Sequence, residues 1–87
     1  MDESDPIRPS ESQKREFREA RREVGLSQAE LWARYFALGG GATPDELEAV
    51  VEGASTLGAH EHDVLVHALN ERSIELGSSR RWPYSED

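Results

Sequence analysis

Leu26-Ser27-Gln28-Ala29-Glu30-Leu31-Trp32-Ala33-Arg34-Tyr35-Phe36-Ala37-Leu38-Gly39-Gly40-Gly41 decides the fold. Ser27 and Glu30 form a capping box, in which the serine oxygen takes one orphan backbone N–H and the glutamate reaches back to another. Leu26 and Leu31 flank the cap as a hydrophobic staple. From Leu31 to Leu38 the only charge is Arg34, so this helix is apolar over much of its circumference and must be buried or make a contact surface. Three successive glycines then end it, because they lose too much backbone entropy to remain helical.

Downstream the same start signal recurs. Thr43-Pro44-Asp45-Glu46 is a second capping box with proline at the first helical position. Leu47, Val50, Val51 and Ala54 follow at i, i+3, i+4 and i+7, a one-sided stripe. Residues 55–58 read as a break, and a fourth helix runs over 60–76 with Gly77 as its stop. Its apolar stripe is Val64, Leu65, Ala68, Leu69 and Leu76. Upstream, residues 10–24 are good helix formers followed by Gly25, with a thin stripe of Phe17, Ala20 and Val24. No sustained alternation of apolar and polar residues announces a strand.

The expectation is an all-α fold, a small three- to four-helix bundle with disordered termini. Helices are predicted over 11–24, 28–38, 44–54 and 60–76, within one domain spanning 10–77 whose core lies in 26–77. Residues 1–9 form a disordered lead-in and 78–87 a flexible tail, extended or disordered. Three helices pack together, and the charged first helix lies across them or projects. The predicted core is Leu31, Trp32, Tyr35, Phe36, Leu47, Val50, Val51, Val64, Leu65 and Leu69.

Charge narrows the function classes. The chain of 87 residues carries a formal net charge of −8 and no cysteine. Residues 26–77 hold −7 of it, whereas residues 10–25 are net +1. A module this negative repels phosphate backbones and attracts basic protein surfaces. Without cysteine there is no disulfide framework and no thiolate zinc site, and the acidic start lacks the pattern of a secretory signal. No segment is long enough to span a bilayer, so a cytoplasmic location is expected.

Candidate chemistries are few. His60, Asp63, His67 and Glu71 align on one face of the fourth helix, but ligands two turns apart do not converge on one metal within a single chain. His62 lies beside the apolar stripe. Gly39-Gly40-Gly41 lacks the lysine and the preceding strand of a phosphate loop, and Ser55 and Ser73 have no third group for a triad. No catalytic residue, metal or cofactor is expected. Helix two, the glycine turn and helix three have the length of a helix-turn-helix, yet Asp45, Glu46, Glu48 and Glu52 stand where base-reading groups belong.

Two features favour a protein partner. Trp32, Tyr35 and Phe36 spread over more of helix two than one core stripe needs, and such residues anchor interfaces; they serve equally as core. Trp82 and Tyr84, in Arg80-Arg81-Trp82-Pro83-Tyr84, either dock on a partner or fold back onto the domain. The leading expectation is an acidic, non-enzymatic interaction module that binds a basic protein, such as a transcription regulator, with a homodimer as a further possibility. The alternative is DNA binding through Lys14, Arg15, Arg18, Arg21 and Arg22, among which Glu16, Glu19 and Glu23 are interleaved at ion-pairing spacings.

The run Leu31 to Gly40, together with Glu61-His62-Asp63 and Ala68-Leu69-Asn70-Glu71-Arg72, resembles a group of short, uncharacterised helical proteins of high-GC actinobacteria. The likeness covers roughly residues 26–77. It carries over no activity, cofactor or functional residue.

Overall fold

Each of the four helices ends in the same way, and those endings set the architecture. The computed structural model describes residues 11–85, with side chains from Arg15 onward; the expected lead-in, Lys14's side chain and the last two residues lie outside that range. In chain order the elements are α1 (Glu11–Glu23), α2 (Gln28–Ala37), α3 (Pro44–Val51) and α4 (Ala59–Glu75). Among the described residues there is no strand, and the protein is an all-α bundle. No helix among them is long and apolar enough to cross a membrane.

Gly25, Gly39, Gly53 and Gly77 have φ between 69° and 99°. After each of them the next residue's N–H reaches back five positions along the helix, as in Gly40 N to Tyr35 O at 3.0 Å and Ala54 N to Ala49 O at 2.8 Å. This is the Schellman closure, which satisfies the carbonyls that a helix end would orphan. It stops α3 at Val51, before the predicted limit of 54, so Ala54 is exposed rather than part of the stripe. Both predicted capping boxes are formed, by Ser27 with Glu30 and by Thr43 with Glu46.

Helix α4 packs against α2, α3 packs against α1 and α2, and the core gathers Ala20, Val24, Leu26, Leu31, Tyr35, Leu47, Val51, Leu65 and Leu69. The thin stripe of α1 is therefore sufficient to seat it: Ala20 and Val24 are buried, and Phe17 meets the His62 ring edge-on at 5.4 Å. Polar ties join the α1–α2 corner to its neighbours. Arg21 Nη1 donates to Leu26 O at 2.9 Å and Arg72 Nε to Val24 O at 3.1 Å, while Arg18 Nη2 lies 3.3 Å from Glu52.

One predicted core position and the end of the α4 stripe are corrected: Phe36 is 58% exposed, and Leu76 is 50% exposed. Trp32 and Val64 are half-buried and pack against the core. Phe36 lies on the flank of α2 away from Leu31 and Tyr35, and Leu76 is the C-cap of α4, past its last turn. In their place α4 buries Val66, Asn70 and Ser73. The two polar groups bond to the C-terminal segment, which folds back onto this domain.

Candidate interaction surfaces

The glycine run after α2 bends over the ring of Tyr35. A Cβ at Gly40 would lie 2.3 to 2.4 Å from three of its ring atoms, so only glycine lets the chain pass. The buried hydroxyl then becomes a hub. Ala42 N–H donates to it at 2.8 Å, and it donates to Glu61 Oε1 at 2.5 Å; that same oxygen accepts from Gly41 N–H at 2.9 Å. These bonds hold the Glu61 carboxyl below its ordinary range, with the Tyr35 hydroxyl as the largest cause. Burial first, and then the bond to Glu61, push the Tyr35 phenol up.

Glu61 stands three residues after the N-cap of α4, where Glu30 and Glu46 stand in their helices. Its N-cap is Gly58, which has no side chain to complete a capping box. Its carboxylate is thereby released for the tertiary network. This glutamate was not among the predicted site residues, and its signal was that mismatch: a glutamate in the box position without a serine or threonine at the cap.

Trp32 sits on the other side of the loop. Its indole N–H donates to Ala42 O at 3.0 Å, and its ring stacks on Phe36 at 4.9 Å with an 18° interplanar angle. Ala29, Ala33 and Ala37 are exposed around them. Helix α2 thus has two apolar faces, one in the core through Leu31 and Tyr35, the other exposed at Phe36, Ala29, Ala33 and Ala37 beside the half-buried Trp32 and free of α2's own charges.

The C-terminal segment makes the second surface. Running back along α4, it places Arg80 O against Ser73 Oγ at 2.7 Å and Trp82 against Asn70. Ser85 then reaches Asp63, its N–H at 2.7 Å from Oδ1. Between them the Tyr84 hydroxyl lies 3.2 Å from His67 Nδ1. Trp82 is 3% exposed and belongs to the core, with the Arg80 guanidinium 4.9 Å over its ring. A groove of about 400 Å³ stays open beside the segment, lined by Glu71, Ile74 and Pro83 among others.

The five aromatic positions singled out in the sequence thus divide. Tyr35 and Trp82 are buried and bonded within the chain, which takes them out of reach of a partner as the fold stands. Tyr84 is half-buried on the α4 face. Only Trp32 and Phe36 remain as an accessible pair. Of the histidine–acid face, Asp63 and His67 are engaged by the C-terminal segment, and His67 Nε2 also lies 3.4 Å from Glu71. Among the described residues no group of three or more His, Cys, Asp or Glu is placed to hold a metal ion. Comparison with protein-family models, curated proteins and solved structures finds no match.

Proposed function

We infer that the protein is a non-enzymatic interaction module whose outward α2 face docks a protein partner with a basic surface, a transcription regulator being the kind of protein expected. One observation carries the reading: Phe36, 58% exposed and stacked on Trp32, occupies an uncharged helix face within a segment of net charge −7. Charge of that sign raises the encounter rate with a positive surface, and a desolvated aromatic pair then slows dissociation. DNA contact through α1 draws less support, since Arg18 and Arg21 are held by Glu52 and Leu26 of the chain itself.

Photo-crosslinking in host cells, from a benzoylphenylalanine placed at Ala33, tests this reading. A basic protein crosslinked at that position, and lost in Phe36→Asp, supports it. With the captured partner, association should slow as salt rises from about 50 to 500 mM, where the screening length shrinks to ~4 Å. Capture of duplex DNA by the purified protein at physiological salt, with no crosslinked protein, would overturn it.

A further inference from the structure

The contacts that seat residues 80–85 on α4 are those of a receptor with its peptide. Asn70 clasps one residue from both sides: its Oδ1 accepts from Trp82 N–H at 2.8 Å and its Nδ2 donates to Trp82 O at 3.1 Å. Ser73 donates to the Arg80 carbonyl, and Asp63 accepts from Ser85 N–H. Side chains that pair with main-chain groups recognise any extended strand, and selectivity must come from elsewhere. Here it comes from the site that buries the Trp82 ring and from charge. Arg80 Nη1 lies 3.5 Å from Glu23, so a carboxylate at the edge of the site meets the basic residue that precedes the buried tryptophan.

The strand joins α4 through few main-chain bonds, Ser78 N–H to Ser73 O being the one at its start. Its tether, residues 77–79, is exposed, and its partners along α4 are side chains rather than a sheet ladder. The groove beside it stays open, with Ile74 58% exposed.

We propose that the α4 groove is a peptide-binding site for an extended segment of a partner protein, one that carries a tryptophan preceded by basic residues. Residues 80–85 are its resident competitor. The charge complementarity of Glu23 and Arg80, repeated by any such segment, identifies the occupant. This site is separate from the α2 face and does not depend on it.

The test uses the full chain with a protease site inserted between Ser78 and Ser79 and cleaved after folding, so that the strand stays bound without its tether. A fluorescein-labelled peptide of residues 78–87 is the probe. The cut protein should take it up at least ~10-fold more tightly than the intact chain, in which the tethered strand competes at an effective concentration of order mM. Unlabelled peptide should compete, the peptide with Trp82→Ala should not, and Asn70→Ala in the protein should reduce uptake by ~10-fold or more. A peptide of alanines that keeps only Arg-Arg-Trp should compete too. Phe36→Asp should leave uptake unchanged, which separates this result from that of the α2 face.

Equal uptake by cut and intact chains, or uptake indifferent to the tryptophan, would overturn the proposal. So would a loss of helix on cutting that added peptide does not restore, since the strand would then be a fixed part of the fold. A concentration-dependent dimer of the intact chain that Asn70→Ala dissolves would overturn it in favour of strand exchange between copies.

Discussion

The Tyr35 hydroxyl and the Glu61 carboxylate, 26 residues apart in the chain, meet at 2.5 Å and tie α2 to the first turn of α4. The bond is the centre of a small network, because the same hydroxyl accepts from Ala42 N–H and the same carboxylate oxygen from Gly41 N–H. One side chain thus fixes the course of the α2–α3 loop. Removing the hydroxyl alone leaves the Ala42 N–H without its partner in a part-buried site. Tyr35→Phe should therefore lower the unfolding free energy by about 1–3 kcal/mol, read as a lower urea midpoint at unchanged slope.

The same pair sets a dependence on pH at both ends of the scale. Glu61, Glu30 and Glu75 have folded-state values below the ordinary 4.5, held there chiefly by bonds from Tyr35, Ser27 and Arg34 respectively. For a depressed carboxyl the stabilisation is complete above the unfolded value and is lost as pH falls through the folded one. Tyr35 is raised above 10.0, so its contribution is complete below that value and is lost as pH rises through the folded one. The thermal midpoint should fall on acidification below the lower limit and on alkalinisation above the upper one. Glu61→Gln should make the acid limb shallower without abolishing it; an acid limb identical to wild type would refute the assignment.

Gly40→Ala should be destabilising, because the new methyl would enter the Tyr35 ring, which is fully buried. Overpacking of this kind costs about 1–3 kcal/mol or more. The informative comparison is the double variant Tyr35→Ala with Gly40→Ala. If steric conflict is the cause, Gly40→Ala should cost much less in the Tyr35→Ala background, and equal costs in both would rule it out.

Gly58→Ser should stabilise the protein. Gly58 is the N-cap of α4 with extended backbone angles, φ −65° and ψ 169°, and no side-chain cap bond. A Cβ there meets nothing within 4 Å. Serine would supply the missing acceptor and lower the entropy of the unfolded chain, together worth about 0.5–1 kcal/mol. Calorimetry should show a midpoint raised by a few degrees, by about 4–8 °C per kcal/mol for a domain of this size.

Asn70→Ala should release the C-terminal segment, since both bonds to the Trp82 peptide unit are lost together. Intrinsic fluorescence distinguishes the outcome once Trp32 is replaced by phenylalanine, leaving Trp82 as the single indole. Emission should shift to the red in Asn70→Ala as the ring enters water, with helical circular dichroism retained.

The fold was legible wherever a local rule sufficed. Ser27 with Glu30, Thr43 with Glu46, and glycines 25, 39 and 77 announce helix ends through chemistry confined to a few neighbouring residues. Gly53 was passed over because the residues beyond it continue the apolar stripe to Ala54, although the chain had already turned. What escaped was tertiary. Phe36 reads as core because hydrophobicity does not tell which flank of a helix is covered, and Trp82 allows two placements because its polar neighbours hide a ring that seats against a distant helix. Asn70 and Ser73 could have pointed to that strand: two polar residues one turn apart that continue the spacing of Val66 and Leu69 along α4 call for polar partners from elsewhere in the chain.

The approach of Gly40 to Tyr35 also has a meaning for descent. Because the ring occupies the space of the missing Cβ, position 40 cannot gain a side chain while the ring stays. A chain related to this one that bears a larger residue at position 40 should bear a smaller one than tyrosine at 35, and with it should lose the need for a carboxylate at 61. The three positions are physically coupled, so joint retention or joint loss is the pattern expected in distant relatives.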